Sequence, residues 1–184
     1  MKTKFILHGG FTPGGKQEND DFFQEILKSA PKKAKILLVY FAKESDRIAK
    51  NKDEDIKQFN KNKGDKILSF EIATEELFPE QVKKADIIYL HGGRSVKLLD
   101  ALKNFLNLKQ LFAGKIIAGD SAGANVLASV FYSQSAGVLE GFEIIPIKII
   151  CHYVAENKDK LNGVKSDLET LFLGEYQIRV FYGD

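Results

Sequence analysis

The chain has 184 residues, 44% of them hydrophobic, which suffices for one well-buried domain over residues 1–184 and is short for two. Its 27 basic and 25 acidic side chains leave a formal charge of +2, too even a balance to draw nucleic acid or an anionic membrane surface. No run reaches the roughly 20 apolar residues of a membrane span, no secretory leader is expected, and with Cys151 as the sole cysteine an intrachain disulfide is excluded and a reducing, cytoplasmic setting is expected.

Phe5, Ile6 and Leu7 form the first apolar run, a strand ending at His8 and Gly9-Gly10. Phe22, Phe23, Ile26 and Leu27 then recur at helical intervals after the candidate cap Asn19. Ile36 to Phe41 is a second strand, and residues 46–66 read as a solvated helix closing in a turn at 62–65. Ile67 to Phe70 and Ile87 to Leu90 are further strands, and a helix begins near Ser95 with Val96, Leu98, Leu99, Leu102 and Phe105 on its apolar face. Lys115 to Ala118 is a fifth strand. Short, uniformly apolar strands alternating with amphipathic helices predict an α/β fold with a doubly wound, mostly parallel sheet flanked by helices. Later, Ile144 to Ile150 is an apolar run, residues 156–172 read as helical despite Gly163, and residues 176–182 alternate as a strand.

The most informative stretch is Gly119-Asp120-Ser121-Ala122-Gly123, which lies between the fifth strand and a predicted helix at Ala124 to Ala128. A strand-serine-helix nucleophile elbow needs near side-chain-free positions two before and two after the serine, and the glycines stand there. A helix starting at Ala122 would turn unpaired N–H groups toward an oxyanion. A serine also needs a base, and histidine is the usual one. His8 and His91 each end a strand beside a Gly-Gly pair, while His152 follows the run ending at Cys151. His91-Gly92-Gly93 offers backbone able to approach a substrate, making Gly93 with Ala122 a candidate oxyanion hole, and leaves His152 as the base.

Two other readings compete. The Gly-rich run at 10–16, ending in Lys16, has the spacing of a phosphate-binding loop, with Asp120 ending a later strand, but Gln17 stands where a hydroxyl would hold magnesium. The elbow with His-Gly-Gly upstream also suggests an esterase of the α/β-hydrolase kind, whose chain order is Ser, acid, His. Here only Glu140 and Glu143 separate Ser121 from His152 as acids.

The segment from Asp86 to Leu99, the nucleophile segment from Ile117 to Asn125, Cys151-His152-Tyr153 and Leu173-Gly174-Glu175 together resemble the serine peptidases that include aspartyl dipeptidase (dipeptidase E) and cyanophycinase. The resemblance implies a class I glutamine amidotransferase-like fold and hydrolysis of short peptides without metal or organic cofactor. It implies Ser121 as nucleophile, His152 as general base and Glu175 as the group orienting the imidazole. Gly93 and Ala122 would donate to the oxyanion, while Gly92 and Arg94 would contact substrate, with Arg94 gripping a carboxylate and aspartyl dipeptides as first candidates. Cys151, Gly174 and Arg94 depart from the family's usual proline, proline and asparagine. A small peptide is the expected partner, and the sequence leaves the oligomeric state open.

Overall fold

The computed structural model describes residues 2–11 and 19–183. The first half alternates strands and helices as the apolar runs predict: β1 (Thr3–His8), α1 (Asp20–Lys28), β2 (Lys33–Val39), α2 (Ser45–Asn62), β3 (Ile67–Ile72), α3 (Phe78–Lys84), β4 (Ile87–Leu90), α4 (Ser95–Leu102), α5 (Leu108–Leu111) and β5 (Ile116–Asp120). The second half is mostly strand: α6 (Ala122–Leu127), β6 (Ala128–Ser133), β7 (Gly137–Glu140), β8 (Ile145–Cys151), a 3-10 turn (Ala155–Asn157), β9 (Thr170–Leu173) and β10 (Ile178–Gly183).

Two sheets result. The larger runs β10-β1-β5-β4-β2-β3, parallel throughout except for β10, which pairs antiparallel with β1. The smaller runs β7-β6-β8-β9, with β6, β8 and β9 parallel. Successive side chains on a strand face opposite ways, so Ile36, Leu38, Ile87 and Tyr89 pack with α1 and α2, whereas Leu37, Val39, Ile88 and Leu90 join a core that continues into the smaller sheet through α6. Both faces of the larger sheet are covered, which is why its central strands read as unbroken apolar runs. Among the described residues, no helix is long and apolar enough to cross a membrane.

The helix expected after the elbow forms as six buried residues, and the chain passes directly into β6, where Val130, Phe131 and Tyr132 favour a pleated strand. One segment differs from the expected structure. Residues 156–172 form turns and a strand in place of a helix. There Leu161 inserts beside Val130 and Ile150, and the buried Lys148 Nζ donates to the carbonyls of Val164 (2.9 Å) and Leu161 (3.5 Å), bonds that capture backbone groups a helix would use internally. Asn19 precedes α1 but makes no side-chain capping bond, and Arg94, with Ser95 already helical, is the residue flanking α4.

Candidate active site

β5 delivers Ser121 at its carboxyl end, and α6 starts at the next residue. Ser121 has φ 48° and ψ −100°, a sparsely populated conformation whose cost, about 1–3 kcal/mol, is met by the packing around it. A Cβ on Gly119 would come within 2.6 Å of the Ala124 nitrogen and one on Gly123 would strike the Leu90 carbonyl, so the elbow closes only with glycine at both places. Its entry is fixed by the Ser121 N–H, which donates to the His8 carbonyl at 3.0 Å.

The smaller sheet supplies the other members. β8 and β9 are neighbours, with Cys151 beside Leu173, so the residues just beyond them, His152 and Glu175, emerge together. The Ser121 hydroxyl donates to His152 Nε2 at 3.0 Å, and His152 Nδ1–H donates to Glu175 Oε1 at 3.2 Å. His152 itself has φ 49°. Its N–H donates to the Gly9 carbonyl (2.8 Å), and the N–H of Tyr176 donates to the Gly10 carbonyl (2.9 Å), so the turn after β1 ties down both the base and its acid. Gly10, at φ +95°, faces the imidazole so closely that a Cβ there would overlap the ring.

The two candidate oxyanion donors flank the serine. Ala122 opens α6, where the first N–H groups have no intrahelical partner. Gly93 is exposed and borders, with Ser121 and His152, a cleft of about 470 Å³. Adjacent amides are occupied, Arg94 donating to the Ala42 carbonyl at 3.0 Å.

Gly92 and Arg94, expected to contact substrate, are placed elsewhere. Gly92 is buried against Asp120, leaving a Cβ only 2.7 Å from a carboxylate oxygen, and serves as a spacer. The Arg94 guanidinium is 75% exposed and lies 3.7 Å from Glu44; it is not among the cleft-lining residues. Residue 94 is extended immediately before α4, and its side chain meets Glu44, the residue that precedes α2.

Neither other histidine reaches Ser121. His8 is fully buried, stacks on Phe22 with ring centres 4.3 Å apart, and binds Asp120 Oδ1 through Nδ1 at 2.7 Å. Burial alone would raise the Asp120 carboxyl, but the His8 hydrogen bond, the His8 charge and then those of His91 and His152 outweigh it and hold it below the ordinary carboxylate value. His91 donates from Nδ1 to the Gly92 carbonyl at 2.8 Å, while Nε2 lies 3.3 Å from Asp55; burial pushes its pKa down. With Asp120 engaged by His8, the magnesium-binding part of the phosphate-loop reading has no carboxylate to use, and residues 12–18 of that motif lie outside the described residues. Cys151 borders the cleft, but burial and then the Asp120 charge push its thiol far up, and Sγ is turned toward the carbonyls of Ser121 and His8, at 3.6 and 3.8 Å. Among the described residues, no cluster of three or more His, Cys, Asp or Glu is arranged to hold a metal ion.

The sequence matches the profile of peptidase family S51 over residues 5–171, a span that includes the elbow and the base. The chain belongs to peptidase family S51. No curated protein matches it. Among solved structures, it is similar to the crystal structure of a peptidase from an acI-B1 Actinobacterium, with TM-score 0.72 and 21% identity over 98% of this chain and 84% of that one. It is also similar to a protein assigned to peptidase E from Listeria monocytogenes EGD-e, with TM-score 0.71 and 17% identity over 100% of this chain and 96% of that one. These likenesses show a shared α/β architecture. The cleft wall beyond the serine comes from the connection of β6 and β7, which carries Gln134 and Ser135, a stretch to which the sequence pattern assigned no element. Asn125, one helical turn after Ser121, also borders the cleft, and that spacing is the signal by which the sequence could have named it.

Proposed function

We propose that this S51 serine peptidase hydrolyses short peptides through an acyl-enzyme on Ser121, with His152 as general base and Glu175 holding the imidazole. The observation that carries this reading is the unbroken hydrogen-bonded chain from Ser121 Oγ through His152 to Glu175. In the first step the Ser121 oxygen bonds to the substrate carbonyl carbon while its proton passes to His152 Nε2. The carbonyl oxygen, now negative, takes hydrogen bonds from the Gly93 and Ala122 N–H groups. When the C–N bond breaks, His152 returns the proton to the departing amine. Water then repeats the sequence on the ester, giving a free carboxylate and restoring Ser121. Glu175 stays ionised and stabilises the imidazolium formed in both halves of the cycle.

The chain order Ser, His, Glu differs from that of α/β-hydrolase esterases and supports a peptidase assignment of the triad over theirs. The near-neutral charge and the site's dimensions support a small peptide as partner and neither nucleic acid nor membrane. The lone buried thiol supports a cytoplasmic setting, and the core shared by both sheets supports one domain.

The test is covalent labelling with a fluorophosphonate, followed by mapping of the modified residue. Ser121 is the expected adduct, and Ser121→Ala is expected to keep its fold while losing both labelling and peptide turnover. Turnover retained in a clean Ser121→Ala preparation overturns the assignment.

A further inference from the structure

The turn after β4 contains one peptide group whose orientation decides whether Gly93 can serve as an oxyanion donor. A trans peptide points its C=O and its N–H in opposite directions, so the plane joining Gly92 to Gly93 turns its N–H toward the serine only when the Gly92 carbonyl faces away. Backbone bonds to the end of β2 and the loop after it hold the neighbouring groups: the His91 N–H donates to the Val39 carbonyl at 3.1 Å, and the Arg94 N–H to the Ala42 carbonyl at 3.0 Å. The plane between them is flanked by two glycines, which lack the Cβ that would hinder its rotation. Its carbonyl accepts instead from a side chain, His91 Nδ1, at 2.8 Å. The Gly93 N–H donates to no group among the described residues, and Gly93 borders the cleft with Ser121.

The ring that supplies this bond is itself held. His91 is buried, with the Tyr40 and Tyr89 ring centres 5.2 and 5.7 Å from its own, and its Nε2 lies 3.3 Å from Asp55 Oδ2. The Gly92 carbonyl can only accept, so the hydrogen sits on Nδ1, and in the neutral ring Nε2 is the acceptor. Burial favours that neutral ring, and it also keeps a proton on the Asp55 carboxyl, pushed up to about 8, which can donate to Nε2. A donor to a peptide carbonyl polarises the whole group and strengthens the N–H on its opposite side.

We propose that His91 is a positioning residue for hydrolysis: by donating from Nδ1 to the Gly92 carbonyl it holds the 92–93 peptide with the Gly93 N–H facing the cleft, ready for the oxyanion formed when Ser121 attacks. This rests on the reading of Ser121 as nucleophile and Gly93 as oxyanion donor, and deepens it. Without the bond the plane is free to rotate and present the Gly92 carbonyl, whose partial negative charge opposes the developing oxyanion. His91 does not reach Ser121, and its contribution falls on the tetrahedral state, leaving affinity for the intact peptide unchanged.

The experiment compares three variants. His91→Leu has no donor; His91→Asn places an amide nitrogen where Nδ1 stands; His91→Gln places one nearer the position of Nε2, on the Asp55 side. In each, the rate of Ser121 labelling by a fluorophosphonate is measured, with kcat and KM for Asp-Leu and Ala-Leu, and calorimetry gives the affinity of the same peptides in the Ser121→Ala background. Removing one oxyanion donor outright costs about 10²–10³ in rate, so misorienting it is expected to slow labelling and kcat by about tenfold or more in His91→Leu and His91→Gln. Peptide affinity is expected to stay within about threefold of the wild type, and His91→Asn to keep its rates within the same margin. If His91→Leu does not fold, the comparison of His91→Asn with His91→Gln decides. Equal losses in those two, losses confined to KM and affinity, or a wild-type rate in His91→Leu overturn the role of His91 while leaving Ser121 in place. A wild type that is not labelled at Ser121 overturns the nucleophile and this role with it.

Discussion

At the scale of single residues, the site depends on one atom that is missing. Gly10 lies against the His152 ring, and its φ of +95° is one that a side chain adopts only with strain. Gly10→Ala is therefore expected to displace the imidazole and to lower kcat by tenfold or more, with a stability loss of about 1 kcal/mol or more from the backbone conformation. Steady-state kinetics and a thermal melt check both, and a wild-type kcat would show that the ring has room to spare. Glu175 acts through the same ring. Glu175→Gln removes the charge that stabilises the imidazolium, so kcat is expected to fall by roughly 10²-fold or more while KM changes little. A wild-type rate in that variant would show that Ser121 and His152 work as a dyad. Cys151 offers a contrast, since burial keeps its thiol protonated and its sulfur is aimed at backbone carbonyls. Cys151→Ala is expected to retain turnover, and sensitivity to a thiol reagent in place of a fluorophosphonate would reverse the choice of nucleophile.

At the scale of elements, what could be read from the sequence follows from how strongly each segment's pattern was tied to a single environment. The four inner strands, β1, β5, β4 and β2, are largely apolar on both faces because both are covered, so Ile36 to Val39 and Ile87 to Leu90 announce themselves. The elbow was legible because its spacing places a glycine two residues before and two after Ser121, where Gly119 answers to the turn's own backbone and Gly123 to the neighbouring strand at Leu90. Residues 156–172 were misread because Leu161, Val164 and Leu171 have a helix-like spacing that serves another purpose: Leu161 fills a gap beside Ile150, and Leu171 belongs to β9. What decides the conformation is a long-range partner, the buried Lys148 ammonium on β8, which no local pattern reveals. The ion pair of Arg94 is hidden from the sequence for a related reason, because Glu44 is distant in sequence and close in space. Lys148→Met keeps the stem's packing and removes the donors. It is expected to destabilise the protein by about 1–3 kcal/mol, leaving the Leu161 and Val164 carbonyls unpaired by Nζ. Hydrogen exchange should quicken first around residues 158–168. Unaltered exchange there would mean that the apolar contacts of Leu161 suffice to hold the segment.

At the scale of the whole molecule, the solvent-open triad is accompanied by a second polar system that is buried. In the first, Ser121, His152 and Glu175 join the two sheets. In the second, α2 sends Asp55 inward to meet Tyr40, which donates to Oδ2 at 2.8 Å, Tyr89, which donates to Oδ1 at 3.4 Å, and His91. The two systems touch through the backbone, since His91 also binds the carbonyl of Gly92, next to the candidate oxyanion residue Gly93. Burial, opposed by the hydrogen bonds of Tyr40 and Tyr89 and by Lys43 but reinforced by Asp120, pushes the Asp55 carboxyl up to about 8. In the unfolded chain the same group titrates near its ordinary value of about 4. Below that value both states hold the proton and Asp55 contributes no slope. As pH rises from about 4 to 8, the unfolded state gives up a proton that the folded state keeps, so stability falls; above about 8 both are ionised and the slope vanishes. His91, lowered by burial, adds the opposite slope, because its unfolded form binds the extra proton as pH drops through its ordinary range near 6.5. The contribution of Asp55 is therefore read from a comparison. Between pH 5 and 8, the wild type is expected to lose stability relative to Asp55→Asn by up to about 1.4 kcal/mol per pH unit, the limit set by one proton. Urea unfolding of both proteins at pH 5, 6, 7 and 8 measures the difference. Parallel curves would mean that Asp55 is already ionised in the folded protein at pH 5, with the two tyrosine hydroxyls and His91 sufficient to hold a buried carboxylate beside the turn that carries Gly93.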